Sequence, residues 1–403
     1  MKILHSSDWH LGIELEGYRR EDEHEHFLNW LCERLHSQAI DVLLMAGDIF
    51  HQSNPSAAAQ AMFYTFVERL EHIPTLKKAV FIGGNHDSPA RLEAPTPLYK
   101  NRKFHLVGGY QRENEDALLV PIYNDQGEVP LVIVAAPYIH EVRLGVSPVR
   151  FESDGLREAT IDAFTDLYTR LAEQAKSQWP NAHIVGMGHL TCGESKDDDY
   201  GTPLHNVGTI ASLPPTIFCS KLYRYVALGH IHRGYRVGDG PANYSGSPLS
   251  MRFTASELSQ RTVVEFDCTS GEYFRVPIPP LRQLKHLRGP RAALETQLKE
   301  LQRHATTEIW VSLSVQTDEY MLGASEYFQE FSNEKVKVLQ VHQERANNPI
   351  TDQQEEPLPD VRQMTPREIF QTLYQMTFPG EVPQDSVYQK FDQAVVAAGE
   401  DEA

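Results

Sequence analysis

Lys2-Ile3-Leu4-His5-Ser6-Ser7-Asp8-Trp9-His10 is a short apolar run that passes directly into a carboxylate and an imidazole two positions apart. The pattern recurs twice downstream. Val42-Leu43-Leu44-Met45 leads into Gly47-Asp48-Ile49-Phe50-His51, and Val80-Phe81-Ile82 leads into Gly83-Gly84-Asn85-His86-Asp87. Runs this short, rich in branched residues and bounded by Gly or Asp, read as buried strands. Between them, Phe27, Leu28, Leu31 and Leu35 recur at helical spacing over 21–37, and Met62, Phe63, Phe66, Val67 and Leu70 over 56–71. Strand–helix–strand alternation predicts an α/β layered core. Metal-capable clusters at the carboxyl ends of three successive strands fall where open α/β sheets place their sites. Gly47, Gly83 and Gly84 permit the sharp turns that bring backbone close to a ligand.

Working outward, 104–107 and 131–135 also read as strands, and 156–178 as a strong helix. From His183 the chain becomes richer in loops, with strands expected at 184–187, 223–228, 261–266 and 273–278. These predict a second sheet, more antiparallel than the first and packed upon it. This stretch carries Gly188-His189 and Gly229-His230-Ile231-His232. His-x-His at a strand end turns both imidazoles to one side, because side chains alternate. Eight residues can therefore converge: Asp8, His10, Asp48, Asn85, His86, His189, His230 and His232. Carboxylate, amide and imidazole together suit Mn²⁺, Fe²⁺ or Zn²⁺ better than a calcium cage or a thiolate zinc site. Asp48, the lone acid of its cluster, is the natural bridge between two ions.

Ile278-Pro279-Pro280 breaks the pattern and sets a first boundary, giving a domain over 1–280. Residues 281–346 read as a small α/β unit: helix 291–303, strand 309–315, helix 324–332, strand 336–341. Residues 347–403 read as an acidic, Pro-rich linker and a helical tail. The tail helix starts at Thr365-Pro366-Arg367-Glu368 and carries Phe370, Leu373, Tyr374 and Met376. Behind a linker, that stripe suits docking on a partner.

The 403 residues carry a net charge of −18, which taken whole argues against a polyanionic partner. The distribution changes that reading. Residues 351–403 hold eleven acids and three bases, and two divalent cations would offset Asp8 and Asp48. What remains no longer excludes a polyanionic partner, but any DNA binding by this chain alone should be weak and salt-sensitive, with a partner supplying more basic surface. Residues 281–305 carry six basic and two acidic side chains, and so form a candidate DNA-facing strip that includes Arg282, Lys285 and Arg288, with a solvated helix face as the competing reading. Arg19 and Arg20 are further candidates, with ion pairing to Glu21, Asp22 and Glu23 as the competing reading. Four dispersed cysteines fit reduced thiols. The longest apolar run, 131–138, is far short of the roughly 20 residues a bilayer span needs. The polar start of the chain does not read as a secretory leader.

The five motifs, in this order, resemble the calcineurin-like metallophosphoesterase superfamily over residues 1–280. Ile3-Leu4-His5-Ser6-Ser7-Asp8-Trp9-His10-Leu11-Gly12, Ala227-Leu228-Gly229-His230-Ile231-His232-Arg233 and Tyr244-Ser245-Gly246-Ser247-Pro248-Leu249-Ser250 are similar to its bacterial break-repair nuclease branch. Phosphoprotein phosphatases of the superfamily usually continue Gly-Asp-x-x-Asp-Arg-Gly and Gly-Asn-His-Glu. This chain instead has His51-Gln52-Ser53 and Asp87.

The resemblance implies a two-sheet sandwich flanked by helices, followed by a small α/β capping domain and a helical tail. It implies one divalent ion on Asp8, His10 and His232, a second on Asn85, His189 and His230, and Asp48 on both. Mn²⁺ is the expected metal, with Mg²⁺ as the alternative. His86 would contact the scissile phosphate and protonate the leaving oxygen, with Asp87 orienting and charging its ring. His51, where many relatives carry Asp, would be a second substrate-contacting imidazole. The implied activities are an exonuclease on double-stranded DNA ends and an endonuclease on single strands or hairpins, in repair, recombination and replication. The implied setting is a cytoplasmic, nucleoid-associated complex, with an ATPase bound through 365–395 and a homodimer formed through the helix at 56–71. A small-molecule or nucleotide phosphodiesterase on the same centre is the alternative.

Overall fold

The computed structural model describes residues 1–99, 102–146, 153–193, 212–255, 257–317 and 321–345, together with Phe370, Tyr374, Val387, Tyr388 and Lys390. The expected strands are there, arranged in two six-stranded sheets. In the first sheet, Lys2–Ser6, Val42–Ala46, Lys78–Ile82 and Phe104–Val107 run parallel in that order. In the second, Ala242–Tyr244, Tyr225–Gly229, His183–His189 and Leu131–Ala135 are parallel, flanked by antiparallel Tyr235–Arg236 and Leu119–Ile122.

Two expectations need correction. The second sheet is not the more antiparallel one: the long helix Ser153–Gln178 is a crossover between parallel strands, which a hairpin cannot provide. The strands Thr262–Asp267 and Tyr273–Pro277 do not join it either. They return to the first sheet, where Thr262–Asp267 pairs antiparallel with Lys2–Ser6, Ile3 opposite Phe266. That pairing satisfies backbone groups which Lys2–Ser6 would otherwise leave open on that side.

One apolar cluster fills the space between the sheets, with Ile3, Val42, Leu44 and Val80 from the first and Ile133, Val185 and Val226 from the second. Ser153–Gln178 adds Leu167, Leu171 and Ala175 to this cluster. The first sheet's other face buries Leu4, Leu43, Met45 and Phe81 against Phe27 and Leu31 of helix Glu21–Ser37 and Phe63 and Phe66 of helix Ala57–Glu71. Strands buried on both faces explain why their runs read as continuously apolar rather than alternating. The result is the expected α/β two-sheet sandwich flanked by helices.

After residue 280 a three-stranded sheet forms from Gln283–Pro290, Ile309–Thr317 and Val336–Arg345. Its first strand is hidden in the basic stretch: alternation of Lys285, Leu287 and Arg288 around Gly289 gives little strand signal. Helices Arg291–His304 and Ala324–Gln329 cover one face through Leu294, Leu298 and Phe328. Residues Met1–Glu344 pack as one unit and Arg345–Ala403 as another. The expected linker and most of the tail helix lie outside the described residues. Of the tail stripe, Phe370 meets Tyr374 and Tyr388, each at 6.0 Å between ring centroids. Among the described residues no helix is long and apolar enough to cross a membrane.

Candidate metal centre

Trp9 explains how Asp8 and His10 are fixed. Its side chain is fully buried in the helix-side core, edge-on to Phe27, Phe66 and Phe81, with its indole N–H donating to Ser6 Oγ at 2.8 Å. An anchor of that size contributes about 3–5 kcal/mol. The residues on either side of it are thereby held at the end of the strand, toward the second sheet. Backbone bonds from Asp8 N to Gly47 O and from His10 N to Asp48 O, both 3.0 Å, tie the first loop to the second. Asp8, His10, Asp48 and His230 all have positive φ, between 48° and 97°. Strain of this kind, in residues other than glycine, costs about 1–3 kcal/mol each and collects at functional sites.

The two sheets contribute jointly. Asp8 Oδ1 accepts the backbone N–H of His230 at 2.8 Å, and Asp8 Oδ2 accepts the Ser7 hydroxyl at 2.5 Å. Asp48 Oδ1 accepts the His86 N–H at 2.9 Å, while its Oδ2 lies 3.3 Å from His189 Nε2 and 3.5 Å from His10 Nε2. His189 Nδ1 donates to the Ala46 carbonyl at 2.9 Å, which turns Nε2 inward. Asn85 Oδ1 stands between His189 Nε2 (3.0 Å) and His230 Nδ1 (3.1 Å). His10 Nε2 and His232 Nε2 are 3.2 Å apart. All seven residues expected to hold metal are therefore within one connected cluster, and two overlapping triads of it, Asp8–His10–His232 and Asp8–Asp48–His189, have donor atoms close enough to share an ion.

The electrostatics of the buried cluster are polarised. Burial pushes Asp8 up to about 6, against the pull of His189 and His232. Burial works the same way on Asp48, but the charge and hydrogen bond of His189, with His10, hold its carboxyl well below the usual range. Burial would lower His189, yet Asp48 raises it to about 9. His230 is driven down to about 3, by burial first and by His189 second. Oxygen and nitrogen donors in this mixture fit a pair of borderline divalent cations.

His86 and His51 complete the group. The His86 Nδ1–H donates to the His51 carbonyl at 2.8 Å, and the two rings stack at 5.7 Å, with His10 edge-on to His86 at 4.8 Å. His51, His86 and His10 form the third set of closely spaced donors. Asp87 behaves otherwise than expected. Its carboxylate accepts the backbone N–H groups of Ile49 (3.0 Å), Phe50 (3.0 Å) and Gly84 (2.9 Å), and so staples the second and third loops. The hydrogen bond described for the His86 ring is to the carbonyl of His51. Three amides compete for a buried carboxylate more strongly than one neighbouring imidazole can.

The expected DNA contacts divide. Arg20 is buried and bonds Glu23 at 2.7 and 2.9 Å, and Arg282 is buried among Asp22, Glu23 and Glu308 with its guanidinium 4.2 Å from the Trp310 ring centroid. Neither is presented to a nucleic acid, which corrects both assignments. Arg19 is exposed, 4.0 Å from Glu21; Lys285 is half-buried; exposed Arg288 pairs with Glu344 at 2.8 Å. A residue not singled out in the sequence also reaches the cluster: Glu257 Oε1 lies 3.3 Å from His232 Nδ1. It sits in a loop with no motif around it, so nothing in the sequence marks it.

The calcineurin-like phosphoesterase family model matches residues 1–234, and a model described as the type 5 capsule protein repressor C-terminal domain matches 280–378. The chain is 31% identical over 296 residues to the SbcD subunit of the nuclease SbcCD from Rhodobacter capsulatus, with 72% of each chain covered. It is 34% identical to the protein of that name from Bacillus subtilis, covering 68% of this chain and 67% of the relative, and 28% identical to that of Escherichia coli K12, covering 90% of both. With five ordered motifs meeting at the seam of two sheets, the chain belongs to the calcineurin-like phosphoesterases and, within them, to the SbcD nuclease family.

Proposed function

We propose that this chain is the nuclease subunit of an SbcCD-type, ATP-dependent complex that hydrolyses DNA phosphodiester bonds in repair, recombination and replication. The observation that carries the proposal is a single carboxylate oxygen, Asp48 Oδ2, facing His189 and His10 at 3.3 and 3.5 Å, between two sets of nitrogen and oxygen donors. Asp8, His10 and His232 would hold one divalent ion, Asn85, His189 and His230 the other, and Asp48 both; Mn²⁺ is the preferred metal. When bound, such a pair acidifies water and offsets charge on the phosphate under attack.

The protein's own residues supply the rest. His86, with its Nδ1 proton fixed on the His51 carbonyl, keeps Nε2 for proton exchange with the leaving sugar oxygen. The His51 ring, stacked on His86, limits its rotation. Asp87 holds the loops carrying Asp48 and Asn85 in register through its three amide contacts. Double-strand exonuclease and single-strand or hairpin endonuclease activity, cytoplasmic nucleoid association and self-association through Ala57–Glu71 belong to the same reading. So does docking of the SbcC-type ATPase on residues 365–395.

Purified full-length protein with Mn²⁺ should cut single-stranded DNA and leave cyclic nucleotides intact; the opposite preference would support a small-molecule phosphodiesterase. Removing residues 350–403 should leave single-strand cutting in place and abolish binding to the ATPase. Retained binding would overturn the tail's role.

A further inference from the structure

Glu257 is buried, and its two carboxylate oxygens are used differently. Oε2 is anchored, accepting the Met251 backbone N–H and the Arg261 guanidinium, each at 2.9 Å. Oε1 faces the Nδ1 of His232 at 3.3 Å. Arg261 closes a ring around the same histidine: its Nη1 donates to the His232 carbonyl at 2.7 Å and its Nε to Ser250 Oγ at 3.2 Å. Ser250 Oγ in turn donates to the Glu257 carbonyl at 2.6 Å. Both the side chain and the main chain of residue 232 are therefore gripped by one Glu257–Arg261–Ser250 unit.

We infer that Glu257 is a positioning residue for metal binding: by accepting the Nδ1–H of His232 it fixes the ring's tautomer and aims Nε2 at the ion shared with Asp8 and His10. The inference rests on the two-ion reading of the centre. A carboxylate behind a ligating imidazole both orients the ring and raises its basicity, and loss of such a partner costs about 10- to 100-fold in metal affinity. A purely structural Glu257–Arg261 pair would leave ion binding alone.

The test is a Mn²⁺ titration of the full chain followed by electron paramagnetic resonance, comparing the parent with Glu257→Gln. One of the two ions should bind about 10- to 100-fold more weakly and the other as in the parent. The Mn²⁺ concentration for half-maximal DNA cutting should rise in step, with kcat recovered at saturation. Unchanged binding of both ions in the folded variant overturns the role. Should the variant not fold, the parent still decides: in Zn²⁺-loaded, histidine-labelled protein, with the resonance assigned through His232→Asn, the proton should sit on Nδ1 of His232. A proton on Nε2 overturns the inference. A parent that binds two ions and cuts no DNA would sink the nuclease reading and leave the Glu257 result standing. A parent that cuts DNA beside a Glu257→Gln variant with the parental isotherm would sink only the role of Glu257.

Discussion

His10 and His232, one from each sheet, turn their Nε2 atoms toward each other across 3.2 Å. Two imidazole nitrogens at that distance either share a proton or share an ion. With His232 Nδ1 directed at Glu257, its Nε2 is the lone-pair nitrogen, and a cation is the better mutual partner. The first sheet supplies Asp8, His10, Asp48 and Asn85, and the second supplies the remaining histidines, so the centre exists only when the sheets are stacked.

Gly229 shows how tight that stacking is. A Cβ at this position would overlap the Ala46 carbonyl oxygen, the atom that holds His189 Nδ1. Gly229→Ala should therefore displace His189 and weaken binding of the second ion at least tenfold, together with a loss of thermal stability. Isothermal titration with Mn²⁺ measures the first effect, and parental affinity would contradict it.

Arg282→Ala removes the stacking on Trp310 and the second of two guanidinium groups beside Glu23, which keeps its bonds to Arg20, and should destabilise the chain by about 1–3 kcal/mol. Because Arg282 is buried in these pairs, the slope of DNA affinity against salt should not change. Denaturant unfolding and salt titrations of DNA binding check the two halves of this expectation. A flatter salt slope, the signature of a lost phosphate contact, would return Arg282 to the DNA interface.

His5 predicts an acid limb in stability. It is fully buried, with Nδ1 on Tyr225 Oη at 2.9 Å, and burial, then Arg275, lower its pKa from 6.5 to about 3. Below pH 6.5 the unfolded chain takes up a proton here that the folded chain refuses. Stability contributed by neutral His5 should therefore fall as pH drops through 6.5, by about 1 kcal/mol over the first unit and approaching about 1.4 kcal/mol per unit below that. Denaturant unfolding of parent and His5→Phe at pH 6.5 and 5.5 reads the slope rather than the absolute stability. An equal slope in both would contradict the assignment.

The donor set is legible in the sequence because strand ends are marked by glycine and because metal ligands must be carboxylate, amide or imidazole. Asp8, His10, Asp48, Asn85, His189, His230 and His232 can thus be picked out before their distances are known. What is illegible depends on partners distant in the chain. Asp87 is next to His86 in sequence, but its carboxylate belongs to the amides of Ile49, Phe50 and Gly84. Arg282 looks like part of a basic strip, because Asp22 and Glu23, which neutralise it, lie about 260 residues earlier in the chain. Glu257 carries no motif, and its meaning emerges only once His232 is 3.3 Å away. The second sheet's direction is misread because local composition does not record which strand a crossover returns to.

The measurement closest to the central claim is Mn²⁺-dependent cleavage of a hairpin DNA by the full-length parent, His86→Gln and Asp48→Asn, each with its Mn²⁺ stoichiometry. The parent should cut and bind two ions. His86→Gln should bind two ions and cut about 10²- to 10⁴-fold more slowly, and Asp48→Asn should lose both cutting and the paired ions. Cleavage by either variant at the parental rate would contradict the account.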